Sequence, residues 1–187
     1  MLTWQGAPDL RLESARVVSS GGLKLRASGR VIVPAQDDRA GYTADYELAV
    51  DDTGLVRRLL VSSMSLSHER QISLARSEDG NWLVDDGSGA QRRQFDGAVD
   101  VDVFGAALFN AIPIRRLGLH RETGERTLPV VFVSLPDLTT NLVQQTYRTV
   151  SLGEPTSVLE YRSGSFEAQF TVDADGHVLD YPGLAHR

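Results

Sequence analysis

VDVDVFGAALFNAIPIRRLGL, residues 99–119, is the stretch around which the rest of the chain is read. It opens as a strand. Val99, Val101 and Val103 share one face and Asp100 and Asp102 the other, because successive strand side chains point to opposite sides. The alternation stops over FGAALFNA, the least polar run of the chain, and a short helix is expected within Phe104–Ala111. Ile112 precedes Pro113, a position pushed away from the α region, so the chain is expected to turn extended there. Ile114 to Leu119 is expected to alternate again, with Arg115 on the face of Leu117 and Leu119, and Arg116 on that of Ile114.

Two carboxylates and two guanidiniums thus bracket an apolar plug, and one arginine stands where an apolar residue belongs. A buried arginine needs a paired, hydrogen-bonded surrounding, since an isolated interior charge is very costly. Its planar fork suits a carboxylate better than a lysine ammonium does. Asp100, Asp102, Arg115 and Arg116 are therefore expected to form a structural ion-pair clamp on the plug, with at least one arginine largely buried.

Outward from this stretch the dominant period is two. Ser14–Ser20, Leu23–Val33, Tyr42–Val50, Leu55–Met64 and His68–Ala75 alternate, separated by Gly-Gly, Pro-Ala-Gln-Asp-Asp and Asp-Asp-Thr-Gly breaks that carry turn chemistry. Glu78-Asp-Gly-Asn81 reads as a hairpin turn ahead of Trp82–Val84, and a polar strand runs on to Phe95. That predicts six or seven strands before residue 99. After it, Leu128–Leu135 reads as a buried strand. Leu142–Leu152 reads as a strand with helix as its alternative, and Val158–Arg162, Ser165–Val172 and His177–Tyr181 follow. No long amphipathic helical segment occurs, so the class is mainly β, in a single domain over 1–187. One internal similarity stands out. YTADYELAVDDTGLV (42–56) and GSFEAQFTVDADGHV (164–178) align on their Asp-x-x-Gly turns.

Composition narrows the function classes. The chain has 187 residues, 41% hydrophobic and 24% charged, an ordinary globular balance. A net charge of −6 argues against nucleic acid or an anionic membrane as partner. There is no cysteine, hence no thiol nucleophile, disulfide or thiolate metal site, which fits a reducing compartment. The N-terminus lacks the basic start and apolar core of a signal peptide, and the apolar run from Leu128, eight residues long, is too short to span a bilayer. The expectation is a cytoplasmic protein without a transmembrane segment.

Motifs of known chemistry are missing. His68, His120, His177 and His186 form no metal-ligand spacing, and no nucleophile elbow, phosphate loop or dinucleotide fingerprint occurs, so neither metal nor cofactor is expected. Asp173-x-Asp-Gly lacks the downstream ligands of a calcium loop and reads as a β-turn. Asp100 and Asp102 are about 7 Å apart along a strand, a spacing open to acid–base work but better suited to the arginine clamp.

Asp-x-Asp, the run Asn110-x-x-Pro-Ile-Arg-Arg-Leu117 and the apolar strand after it resemble the bacterial putative glycolipid-binding family. Further matching pieces are Arg76–Trp82, Phe132–Leu138, Gln145-Thr-Tyr147 and Phe166 through Asp173–Gly176 to Gly183, so the likeness covers roughly Arg57 to the C-terminus. Where the family is polar beside Asn110, this chain has Phe109 and Ala111. The resemblance implies a strongly curved antiparallel sheet, a spiral β-roll or half-barrel, similar in shape to the periplasmic carriers of lipoproteins and glycolipids. It implies non-catalytic binding of a lipid or glycolipid in an apolar cavity. Trp82, Phe104, Phe109, Asn110, Arg115, Arg116, Tyr147 and Tyr181 are the candidate ligand-binding residues. Two other readings stay open: an enzyme with a polar site built from Asp100, Asp102, Asn110 and the arginines, and a structural or interaction module whose plug fills the core.

Overall fold

Alternation in the sequence becomes alternation in burial. Along β4 (Tyr42–Val50), Tyr42, Ala44, Tyr46, Leu48 and Val50 are buried and the residues between them are not. The computed structural model describes residues 1–6, 10–36 and 39–187. Its first half comprises β1 (Leu2–Gly6), β2 (Arg11–Ser19), β3 (Leu25–Val33), β4, β5 (Val56–Ser65), β6 (Glu69–Arg76), β7 (Trp82–Asp85) and β8 (Gln91–Arg93). The second comprises β9 (Asp100–Val103), β10 (Glu125–Val133), β11 (Thr140–Ser151), β12 (Ser157–Ser163), β13 (Phe166–Val172), β14 (Val178–Tyr181) and β15 (Ala185–His186).

All fifteen strands belong to one curved, unclosed sheet in the order β8-β7-β6-β5-β4-β3-β2-β1-β15-β14-β13-β12-β11-β10-β9. β1 to β8 and β10 to β15 each form an antiparallel meander, and the two are joined where β1 pairs with β15. Eight strands precede β9, where the sequence predicts six or seven. β1 is the one its reading leaves out, because a five-residue strand shows little periodicity and is held by β2 and β15 on its two sides.

The sheet curls so that distant strands meet. The Trp82 indole on β7 donates to the carbonyl of Ala98, just before β9, at 2.9 Å. Val56 N–H on β5 donates to Val99 at 3.2 Å. β9 runs parallel to β10, a pairing that needs the crossover the helix supplies. Val101, Val103, Val131 and Val133 of that pair are all buried, which explains the nearly unbroken apolar run of β10.

The helix lies between the halves, and it is longer and later than expected. A 3-10 turn at Ala107–Asn110 passes directly into α1 (Ala111–Leu117). Neither the extended Ile112-Pro113 nor the alternating Ile114–Leu119 forms. Pro113 falls in the first turn of α1, where its missing N–H and fixed φ are tolerated, so the usual bias of the preceding residue is overridden. Gly118, in the left-handed region at φ 68°, ends the helix, and Leu119 N–H caps the carbonyl of Ile114 at 3.1 Å. Phe109 packs edge-on against Tyr46 of the first half at 5.1 Å, and Asn110 meets Tyr147 of the second.

Candidate functional site

Three polar clusters surround the helix. The first is the ion pair of Arg116 with Asp100. Arg116 leaves the last turn of α1, its side chain 16% exposed, and donates to a carboxylate that is 1% exposed. Burial pushes the Asp100 pKa up while the guanidinium pulls it down, and burial prevails. The rest of the predicted clamp is not assembled. Consecutive helical residues point about 100° apart, so Arg115 leaves on another side and donates to the carbonyl of Asp175 at 2.9 Å. Asp102 pairs with no cation among the described residues.

The second cluster is Glu13, which the sequence reading passes over. Its carboxylate is 1% exposed and accepts from the Tyr46 hydroxyl at 2.6 Å and from Ala107 N–H at 2.5 Å, tying β2 and β4 to the start of the 3-10 turn. Desolvation, opposed by these hydrogen bonds, raises its pKa to about 7. Tyr46 reaches it across β3 because residue 29 is glycine. A β-carbon there would lie 2.3 Å from the Tyr46 ring. The signal was available: Arg11, Glu13, Ala15 and Val17 fall in one phase of β2, and the first three are buried.

The third cluster opens into a pocket. Asp102 accepts from the Gln145 amide at 2.7 Å, and the Tyr147 hydroxyl lies 3.1 Å from Gln145 Oε1 and 3.2 Å from Asn110 Oδ1. Its one proton serves both acceptors. Desolvation raises the Asp102 pKa to about 7, against the pull of the Gln145 bond. Burial likewise raises the phenols of Tyr147, Tyr161 and Tyr181. The sequence reading notes Gln145 in the Gln145-Thr-Tyr147 piece but not as a site residue, although it stands in phase with Val143 and Tyr147 on the inner face of β11.

The pocket has a volume of 340 Å³ and lies against the concave face of the second half. Phe104, Phe132, Tyr161, Phe166 and Tyr181 form its walls, and Asp102 and Asn110 its polar floor. The rings are mutually inclined: Phe104 with Phe132 at 76°, Tyr161 with Phe166 at 61° and with Tyr181 at 65°. Of the predicted ligand residues, Phe104, Asn110 and Tyr181 are therefore brought together here. Tyr147 stands behind the floor. Phe109 and Trp82 do not line it: both are fully buried, Phe109 under Tyr46 and Trp82 in the first half. Arg115 and Arg116 lie at the other end of the helix, outside its lining. A cleft of 640 Å³ opens between β6–β7 and residues 137–140, but charged and polar side chains of both signs line it and none of the predicted residues does.

Comparison with known proteins places this architecture. The sequence profile of the family described as "Putative glycolipid-binding" matches residues 1–187. The chain belongs to that family. The match extends the likeness from Arg57 back to the N-terminus, taking in β1 to β4. A crystal structure of a DUF1089 family protein from Pseudomonas aeruginosa is similar throughout, with a TM-score of 0.73 and 28% identity over 94% of this chain and 91% of that one. Among curated proteins, nothing matches this chain. No helix among the described residues is long and apolar enough to cross a membrane.

Proposed function

We propose that this member of the glycolipid-binding family binds an amphiphile, a lipid or glycolipid, without catalysis, seating its apolar chain in the aromatic pocket beside the helix. The observation that carries this reading is the pocket's make-up: 340 Å³, five aromatic residues in its walls, and few polar groups on its floor. Volumes from about 300 Å³, apolar walls and a small set of placed polar groups are the usual character of a small-molecule site. The family's description and the absence of cysteine fit a lipid ligand and a cytoplasmic location.

The enzyme reading draws less support. Asp100 with Arg116, Arg115 with the Asp175 carbonyl, and Asp102 with Asn110 occupy three separate surroundings and do not converge on one polar site. Native mass spectrometry of the purified protein, followed by titration with fatty acids and alkyl glycosides of increasing length, tests the proposal. Affinity is expected to rise with each buried methylene, by up to about 0.8 kcal/mol, until the pocket is full. Absence of any length dependence overturns it.

A further inference from the structure

The aromatic pocket contains a carboxylate that the protein itself leaves without a counter-charge. Asp102 is half-buried on the floor; among the described residues its one side-chain partner is the neutral Gln145 amide, and no Lys, Arg or His lines the pocket. An ionised carboxylate held away from water is costly unless a cation meets it. Elsewhere around the helix this chain meets that need with its own arginine, at Asp100. At Asp102 it surrounds the acid with aromatic rings instead. The rings of Phe104 and Phe132, 6.4 Å apart, and of Tyr161 with Phe166 and Tyr181, at 6.1 and 6.4 Å, form two packed groups that line the pocket. The faces of such rings attract organic cations through their quadrupoles. One of them already does so from outside the pocket, where the Arg11 guanidinium carbon stands 5.2 Å from the Phe104 centroid.

We propose that the headgroup taken by this pocket is an organic cation, a primary or quaternary alkylammonium, with Asp102 as its counter-ion and the rings of Phe104, Phe132, Tyr161, Phe166 and Tyr181 around it. The inference rests on the reading of this pocket as an amphiphile site, and it names the headgroup where that reading names the chain. An entering ammonium draws Asp102 into its ionised form, releasing the proton that burial otherwise holds to about pH 7. An anionic headgroup would face the same carboxylate and be repelled.

Octyltrimethylammonium, octyl glucoside and octanoate, matched in chain length, are titrated into the full chain by calorimetry at pH 8, with tetramethylammonium as the chainless headgroup. The expected result is that octyltrimethylammonium binds at least tenfold tighter than the other two octyl ligands and that tetramethylammonium competes with it. Asp102→Asn keeps the shape and the contact with Gln145, and is expected to abolish that preference. Phe166→Ala, at the exposed rim, is expected to weaken the cation more than the glucoside, and tests the site should Asp102→Asn not fold. Equal binding of the three octyl ligands, or tighter binding of octanoate or octyl glucoside, overturns the cation assignment and leaves the amphiphile reading standing. Binding of tetramethylammonium with no gain from the octyl chain supports the cation site and removes the chain-binding reading. Absence of binding by all four ligands overturns both.

Discussion

Gly54 and Gly176 abut adjacent arginines of one helix: a β-carbon at Gly54 would lie 3.1 Å from Cγ of Arg116, and one at Gly176 would lie 3.0 Å from Cγ of Arg115. The two glycines end the Asp-x-x-Gly turns that the sequence aligns with each other. The turns share their geometry. Asp51 Oδ1 accepts from the N–H groups of Thr53 and Leu55, and Asp173 Oδ1 from those of Asp175 and His177, all at 2.9–3.0 Å. One turn comes from each half of the sheet, β4–β5 and β13–β14, so the end of the helix is held by both.

Gly176→Ala is expected to destabilise through backbone and contact together. A left-handed conformation costs a residue with a β-carbon about 1–2 kcal/mol, and the new methyl also meets Arg115. Gly183, at φ 78° with nothing within 4 Å, supplies the backbone term alone. Urea denaturation should show Gly176→Ala more destabilised than Gly183→Ala. Equal losses would mean that the turn does not press on the helix.

Arg116→Ala should cost about 3–5 kcal/mol, because it strands the buried Asp100 carboxylate. Replacing both residues, as in Asp100→Val with Arg116→Leu, should cost much less than the sum of the single losses. A double-mutant cycle by chemical denaturation measures the coupling. Additive losses would show that the pair does not act as a unit.

Stability should fall as pH rises from 4.5 to 7, in part through Glu13. The unfolded chain gives up this proton near the ordinary 4.5, whereas the folded protein holds it to about 7. Between those values the folded state binds more protons, so alkalisation favours unfolding. A shift of that size corresponds to as much as about 3 kcal/mol. Glu13→Gln should flatten the part of the pH–stability curve that Glu13 contributes between pH 5 and 7, leaving that of Asp102. Thermal melts of the two proteins across this range check it, and parallel curves would refute it.

Gly29→Ala should destabilise by about 1–3 kcal/mol, as overpacking does, because the methyl occupies the place of the Tyr46 ring. In Tyr46→Val the ring is gone, and adding Gly29→Ala should then cost little. Undiminished loss in the double variant would show that strand β3, and not the crossing tyrosine, requires the glycine.

Periodicity determined the strands of this protein, since a strand that buries one face must alternate whatever its partner is. Tyr42–Val50, Val158–Arg162 and Ser165–Val172 are legible for that reason, as are the Asp-x-x-Gly turns, whose hydrogen bonds lie within four residues. The buried role of an arginine near Asp100 was legible as well, because a charge in an apolar run needs a partner. Local preference failed at Ile112-Pro113, where neighbouring helix and tertiary packing outweighed the bias that a proline imposes on the residue before it. Only the tertiary structure decided which arginine meets which acid, since Arg115 and Arg116 part company by their angle around a helix the local pattern did not place. The pocket was likewise a matter of curvature. Phe104, Phe132, Phe166 and Tyr181 come from four separate segments, and no spacing in the chain records that a curled sheet brings their rings around the carboxylate of Asp102.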